Sequence, residues 1–314
     1  MEMRRAGTSG LQLSRLGLGT MTWGRDTDEH EAADQCRAFI DAGGNFIDTA
    51  NTYGDGDSER VIGGLIGTLF NRDEVVIATK SGLSFPDGIR NVDASRANLI
   101  AELDKSLVRL GVDFVDIWQI HAWDASTPLD ETLSALDYAY TTGRARYVGV
   151  SNFSAWQLAR AATKQTSNSM KAPITTIQSE YSLLNRDVEV ELLECAAHCG
   201  TGFLAWAPLA RGVLTGKYRN GIPSDSRGAA PHFAKHIEPY LDSRSVRIVE
   251  AVAVAAQGLG FSPLEVSLVW ARDACGVTSS IIGARTGAQL RGLLKSEEIS
   301  LPDIVRSALN DVSA

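Results

Sequence analysis

The chain has 314 residues, 44% hydrophobic and 22% charged, with a formal net charge of -8. That balance belongs to a globular protein with a sizeable core, and it excludes a disordered or fibrous chain. An acidic chain is also a poor partner for nucleic acid held by phosphate neutralisation. A chain of this length holds either two average domains or one large α/β barrel.

At the N-terminus, Met3 to Ala6 and Leu11 to Ser14 flank a Gly-Thr-Ser-Gly turn, which is a hairpin signal. The hairpin is expected to plug one end of the fold that follows. RLGLGTMTW then reads as a strand, and DEHEAADQCRAFIDAGG as a helix with an acidic start and a glycine stop. The same cycle recurs. FIDTA, VVIATK, FVDIWQIH, RYVGVS, TTIQSEY, GFLAWAP and SSIIGA read as strands, each followed by a segment of helical spacing. The total is eight β/α units, and the strands are apolar on both faces, as parallel strands covered by helices must be. The expected fold is therefore α/β, a (β/α)8 TIM barrel with a β-hairpin plug, formed as one domain over residues 1–314. A doubly wound sheet would carry a glycine-rich phosphate loop after the first strand, and GLGTMTWG does not fit G-x-G-x-x-G.

The four cysteines, Cys36, Cys195, Cys199 and Cys275, are too sparse for a disulfide framework. Cys195, His198 and Cys199 fall inside the apolar-periodic ELLECAAHCG with no second ligand cluster, so a structural role and no metal site are expected. The start MEMRRAGTSG lacks the apolar core of a signal peptide, and no apolar run approaches ~20 residues. A cytoplasmic protein with no membrane partner is expected.

Several strands end in polar residues. Asp48 closes FID, with Tyr53 nearby; Lys80 closes VVIATK; His121 closes FVDIWQIH. In a barrel, catalytic groups converge at the C-terminal ends of the strands, so these four are candidates for a proton-handling site. Taken singly, each has an ordinary reading: Asp48 as a loop cap, Tyr53 as rim packing, Lys80 snorkelling, His121 satisfied in the core. Four at successive strand ends outweigh those readings. The long stretch from Lys217 to Leu241, after the seventh strand, reads as a lid on the same rim.

Six segments in order, FIDTANTYGDGDSE, VVIATK, IWQIHAWD, GVSNF, QSEYSLLNR and APLARGVLTGKY, resemble the aldo-keto reductases, most closely the branch that includes potassium-channel β subunits and many bacterial reductases. The resemblance implies an NAD(P)H-dependent carbonyl reductase whose catalytic tetrad matches Asp48, Tyr53, Lys80 and His121. Hydride delivery to a carbonyl leaves an alkoxide, so a positioned acid must supply a proton, and Tyr53 is the natural donor. An ammonium at Lys80 is expected to lower the phenol from its ordinary value of about 10, with Asp48 holding the lysine charged and His121 orienting the carbonyl.

The resemblance also implies the cofactor site. Ser151, Asn152 and Gln178 match carboxamide-binding positions, Trp206 the residue that stacks on nicotinamide, and Thr20 and Asp48 lie at the same rim. Ala207, Pro208, Leu209, Ala210 and Lys217 match a pyrophosphate loop, and Gly283, Arg285 and Gln289 the adenosine end. Arginine suits a 2′-phosphate, so NADPH is favoured, with NADH the alternative. Relatives often carry Glu-Asn where this chain has Gly292 and Leu293, which removes two polar contacts expected at adenine. A small carbonyl substrate is expected in an apolar mouth lined by Trp23, Tyr53, His121 and Trp123. Two other readings stay open: a cofactor-binding regulatory subunit like the channel β subunits, which usually carry Asn where His121 stands, and a Schiff-base lyase using Lys80.

Overall fold

The computed structural model describes residues 1–167, 171–224, 226–229 and 231–314. The chain opens with the expected hairpin: β1 (Met3–Arg5) pairs antiparallel with β2 (Gln12–Ser14). Eight parallel strands then close into a barrel: β3 (Leu16–Gly19), β4 (Phe46–Asp48), β5 (Val76–Ser81), β8 (Val115–Ile120), β9 (Ala145–Ser151), β10 (Ile174–Glu180), β11 (Gly202–Trp206) and β12 (Val277–Ile282). Closure is made by β12 on β3, in the register Ser280↔Leu16 to Ile282↔Leu18. All eight strands expected from the alternation are barrel strands. Between β5 and β8 a two-stranded ribbon, β6 (Leu83–Ser84) and β7 (Asn91–Val92), rises from the rim.

The outer layer is helical: α1 (Glu29–Asp41), α2 (Asp57–Leu65), α3 (Arg96–Leu110), α4 (Leu129–Thr141), α5 (Ala155–Thr166) and α6 (Leu192–His198) follow successive barrel strands. Their ends are set locally. The Asp28 carboxylate accepts from the Glu31 amide at the start of α1, and Gly111 takes the left-handed conformation that stops α3. After β11 the chain departs from the simple cycle: a short α7 (Pro231–Ile237) occupies the long stretch, and α8 (Ser243–Leu259) is followed by α9 (Pro263–Arg272). Beyond β12 come α10 (Gly287–Leu294) and α11 (Asp303–Ser313). The eight-unit pattern contained neither α9 nor α11. Seven consecutive residues of α9, Val266 to Arg272, are buried, so it has no polar stripe from which a helical period could be read.

The plug settles which end of the barrel is free for chemistry. Ala6, Leu11 and Leu13 pack with the inward side chains Phe46, Ala78, Ile117, Leu204 and Ile281, sealing the end where the strands begin. Burying a side chain such as Leu13 completely stabilises by about 1.5–3 kcal/mol. Glycine is required on the inner face of β3. A Cβ on Gly17 would lie 2.6 Å from Phe46 Cδ1, and one on Gly19 would lie 2.7 Å from Ile281 Cγ2. Polar side chains thus gather above this apolar floor, at the carboxyl ends of the strands. Among the described residues, no single helix is long and apolar enough to cross a membrane.

Candidate active site

Inward positions at the top of adjacent strands bring Asp48 (β4), Lys80 (β5) and His121 (directly after β8) together. Tyr53 arrives from the turn Tyr53–Gly56 that leads into α2. The Lys80 ammonium is fully buried and donates to Asp48 Oδ2 at 2.7 Å and to the Thr49 carbonyl at 2.9 Å. The other Asp48 oxygen accepts from Gln178 Nε2 at 2.9 Å, so each of its oxygens has a partner. Lys80 Nζ lies 5.2 Å from the centre of the Tyr53 ring, and the Tyr53 and His121 rings meet edge to face at 6.1 Å. His121 Nδ1 is buried without a hydrogen-bond partner.

The electrostatics follow from burial and charge. Burial pushes the Lys80 ammonium down, but Asp48 and Tyr53 together outweigh it and hold the lysine above its ordinary range. His121 falls well below 6.5, first because it is buried and then because Lys80 and Arg90 repel a second positive charge, so the imidazole is neutral near pH 7. The expected lowering of the Tyr53 phenol is not found. Burial raises it above 10, and the opposing pull of Lys80 is smaller because Asp48 works against it. The ammonium comes with its counter-ion, and a neutralised pair exerts only a weak field on its neighbour.

The residues matched to a nicotinamide join this cluster through hydrogen bonds. Ser151 Oγ donates to the Gln178 carbonyl at 3.1 Å, and Asn152 Nδ2 donates to the His121 carbonyl at 3.0 Å. The Trp206 indole donates to Asn152 Oδ1 at 3.1 Å, and Thr20 Oγ1 donates to the Asp48 carbonyl at 3.1 Å. Backbone strain is concentrated here too. Asn152, Ala207, Ala210 and Arg211 have φ of 58°, 52°, 46° and 58°, a left-handed conformation costing L-residues roughly 1–2 kcal/mol each. In the turn after β11, the backbone switches hand from Leu209 at φ -100° to the left-handed Ala210, Arg211 and Gly212, and such a switch can aim neighbouring N–H groups at an anion. A Cβ on Gly212 would lie 3.2 Å from Lys217 Nζ, so the lysine lies over that turn. The unpartnered His121 Nδ1, the exposed Asn152 amide and the left-handed turn under Lys217 are features that suit a dinucleotide.

Around the adenosine positions, Gly283 is exposed at the end of β12, and Gln289 Oε1 accepts from the Arg285 amide at 2.9 Å. Arg291 of α10 pairs with Asp34 of α1 at 3.0 Å. At the mouth, Trp123 is half-buried and packs edge to face on Phe153 at 5.1 Å and on Trp156 at 5.3 Å. Trp23 is not at the mouth. It is fully buried with its indole donating to Gln35 Oε1 at 3.1 Å, because the segment after β3 turns the ring into the core behind the barrel wall. Cys195 donates to the Ala155 carbonyl, and burial lifts its thiol to about 11. Arg211, which lies over Trp206 at 5.3 Å and pairs with Glu180 at 3.5 Å, was not singled out in the sequence; nothing in APLARGVLTGKY distinguishes it from a surface arginine.

A cavity of about 320 Å³ opens at the opposite, plugged end, lined among others by Gln12, Asp116 and Arg146. Convergent titratable groups, rather than volume, mark the candidate site. Fold and site together define a (β/α)8-barrel protein with a buried Asp–Lys pair, a phenol and a neutral imidazole at the carboxyl end of its strands.

Comparison with known proteins carries this further. The aldo/keto reductase family model matches residues 15–314, and the chain belongs to that family. Its relatives include an L-glyceraldehyde 3-phosphate reductase of Escherichia coli, 37% identical over 92% of this chain and 86% of the relative. An uncharacterized oxidoreductase of Bacillus subtilis is 36% identical over 99% and 96%, respectively. A probable voltage-gated potassium channel subunit beta of Arabidopsis thaliana is 35% identical over 95% and 92%. The protein is an oxidoreductase acting on carbonyl or alcohol groups.

Proposed function

We propose that this protein reduces aldehydes or ketones to alcohols with NADPH, using Tyr53 as the proton donor. The observation that supports the reading is the phenol placed beside an ammonium that is itself buried, paired and held charged. When bound, reduced nicotinamide supplies hydride to the carbonyl carbon. The chain's own residues manage the oxygen. Burial keeps the Tyr53 proton on the phenol near neutrality, so the acid form is present when negative charge develops on the carbonyl oxygen. Lys80 then stabilises the phenolate left behind, and Asp48 and the Thr49 carbonyl fix the ammonium in place. Neutral His121 can donate one ring N–H toward the carbonyl oxygen without adding a charge that would compete with Lys80.

Ser151, Asn152 and Gln178 would hold the cofactor's carboxamide, Trp206 would lie against its ring, and Ala207 to Ala210 with Lys217 would take the pyrophosphate. Gly283, Arg285 and Gln289 would take the adenosine end, the arginine meeting the 2′-phosphate. Tyr53, His121 and Trp123 would bound the substrate. The described residues of the stretch Lys217 to Leu241, which exclude 225 and 230, would lie over the ligand, anchored by the Tyr240 hydroxyl on Glu180 Oε1 at 2.5 Å.

The test is nucleotide oxidation with a panel of aldehydes and ketones, including a phosphorylated aldehyde, comparing NADPH with NADH. Tyr53→Phe is expected to lower kcat by about 10²–10⁴; turnover at the parental rate refutes the acid assignment. A Schiff-base mechanism is disfavoured because Lys80 is held protonated. Borohydride should trap no adduct with the substrate.

A further inference from the structure

Tyr53 is the one member of the convergent four that neither lies on a strand nor directly follows one. Its turn contains Gly54, Asp55 and Gly56 at φ of 57°, 53° and 91°, three left-handed residues in succession. The turn runs directly into α2, whose N-cap Gly56 offers no side-chain cap. Locally the turn is held only by backbone bonds, the Tyr53 amide donating to the Ala50 carbonyl at 3.1 Å and the Asp57 amide to the Gly54 and Tyr53 carbonyls. The first turn of α2 instead sends Ser58 and Glu59 into the barrel wall, both fully buried. Ser58 Oγ lies 2.9 Å from Thr49 Oγ1, below the carbonyl that accepts from Lys80. Glu59 Oε1 accepts from Thr79 Oγ1 at 2.5 Å, and Glu59 Oε2 accepts from Arg109 Nε of α3 at 2.6 Å.

Thr79 directly precedes Lys80 on β5, so Glu59 joins the Tyr53 segment to the strand that presents the ammonium. Arg109 supports the turn from the other side: a Cβ on Gly56 would lie 2.6 Å from Arg109 Cδ, so the side chain lies flat on the turn backbone. A fully buried carboxylate is costly unless its oxygens are satisfied, and here each has a partner. An apolar pair could pack α2 on α3, but it could not also bond to Thr79.

We infer that Glu59, acting through Thr79 and Arg109, is a positioning residue that sets where the Tyr53 hydroxyl sits relative to the Lys80 ammonium. This rests on the reading of Tyr53 as proton donor. Proton delivery is sensitive to small misplacement, about 1 Å costing on the order of 10²-fold.

Glu59→Gln keeps the volume and the bond to Thr79 but removes the charge that holds Arg109. It is expected to lower kcat by about 10–100-fold while NADPH affinity, read by quenching of protein fluorescence, changes less than about twofold. The double variant Glu59→Leu/Arg109→Leu removes both charges. It is expected to unfold at or above the parental temperature and still turn over slowly; recovery of both stability and kcat would reduce the pair to packing and overturn the inference. Should Glu59→Gln not fold, the double variant carries the same comparison. A third readout needs no turnover: the ultraviolet titration of the Tyr53 phenol, taken as the difference from Tyr53→Phe, should move down toward 10 in either Glu59 variant as water reaches the loosened turn. An unchanged titration with an unchanged kcat refutes the positioning role. If the parent reduces no carbonyl compound, the reductase reading fails while the titration still decides the inference.

Discussion

Asp48→Asn tests the electrostatic centre of the site, because it removes one charge with almost no change of shape. In the parent, the buried Lys80 ammonium has Asp48 Oδ2 at 2.7 Å and the Thr49 carbonyl at 2.9 Å. The amide leaves a fully buried cation with only neutral partners, a loss of about 3–5 kcal/mol. At roughly 2.1 cal/mol/K of unfolding entropy per residue, 314 residues make each kcal/mol worth about 1.5 °C, so the unfolding temperature should drop by about 5–8 °C at pH 7. The pH dependence supplies the sign. In the parent, Lys80 is raised in the folded state, so its contribution is fully present below the ordinary lysine value near 10.4 and is lost as pH rises through the folded value. In the variant, burial is opposed by Tyr53 alone and the folded value is expected to fall below about 10.4. Between that folded value and ~10.4 the unfolded chain binds more protons, and the variant regains stability as pH rises. Thermal unfolding of both proteins from pH 7 to 10 should show the gap narrowing. A gap that is below 1 °C at pH 7, or that widens with pH, refutes the claim that Asp48 neutralises a buried charge.

His121 is held well below 6.5, so between 6.5 and its folded value only the unfolded chain takes up this proton, and stability falls as pH drops from 6.5. Replacing it in His121→Asn should flatten that acid-side loss in thermal scans while lowering kcat; an unchanged acid limb would mean the imidazole is not buried neutral. Arg285→Ala should raise KM for NADPH by about 10–100-fold with little effect on KM for NADH, because a charge-assisted bond of roughly 1.5–3 kcal/mol would be lost only to the phosphate. Equal effects in steady-state assays with the two nucleotides would refute the 2′-phosphate role.

Much of the architecture is visible in the chain itself. The eight apolar segments became the eight barrel strands because a parallel strand covered on both faces has a local signature of apolar, β-branched residues. The polar residues at the ends of several segments also marked the strand ends where Asp48, Lys80 and His121 converge. The α9 helix was not visible because burial on every side erases the polar stripe. Trp23 looked like a mouth residue because its position after the first strand says nothing about which way the ring turns, and packing took it into the core.

The tertiary structure alone determined the energetics of the site. Sequence supplied an ammonium and a phenol and suggested an acidified hydroxyl, but the balance depends on depth of burial and on the separation of Lys80 from Asp48, which no spacing encodes. The link from Glu59 to Thr79 and Arg109 is likewise a contact between residues 20 and 50 positions apart. Periodicity is a local property that survives in one dimension, whereas field strength and hydrogen-bond partnership depend on distances that exist only once the barrel has closed.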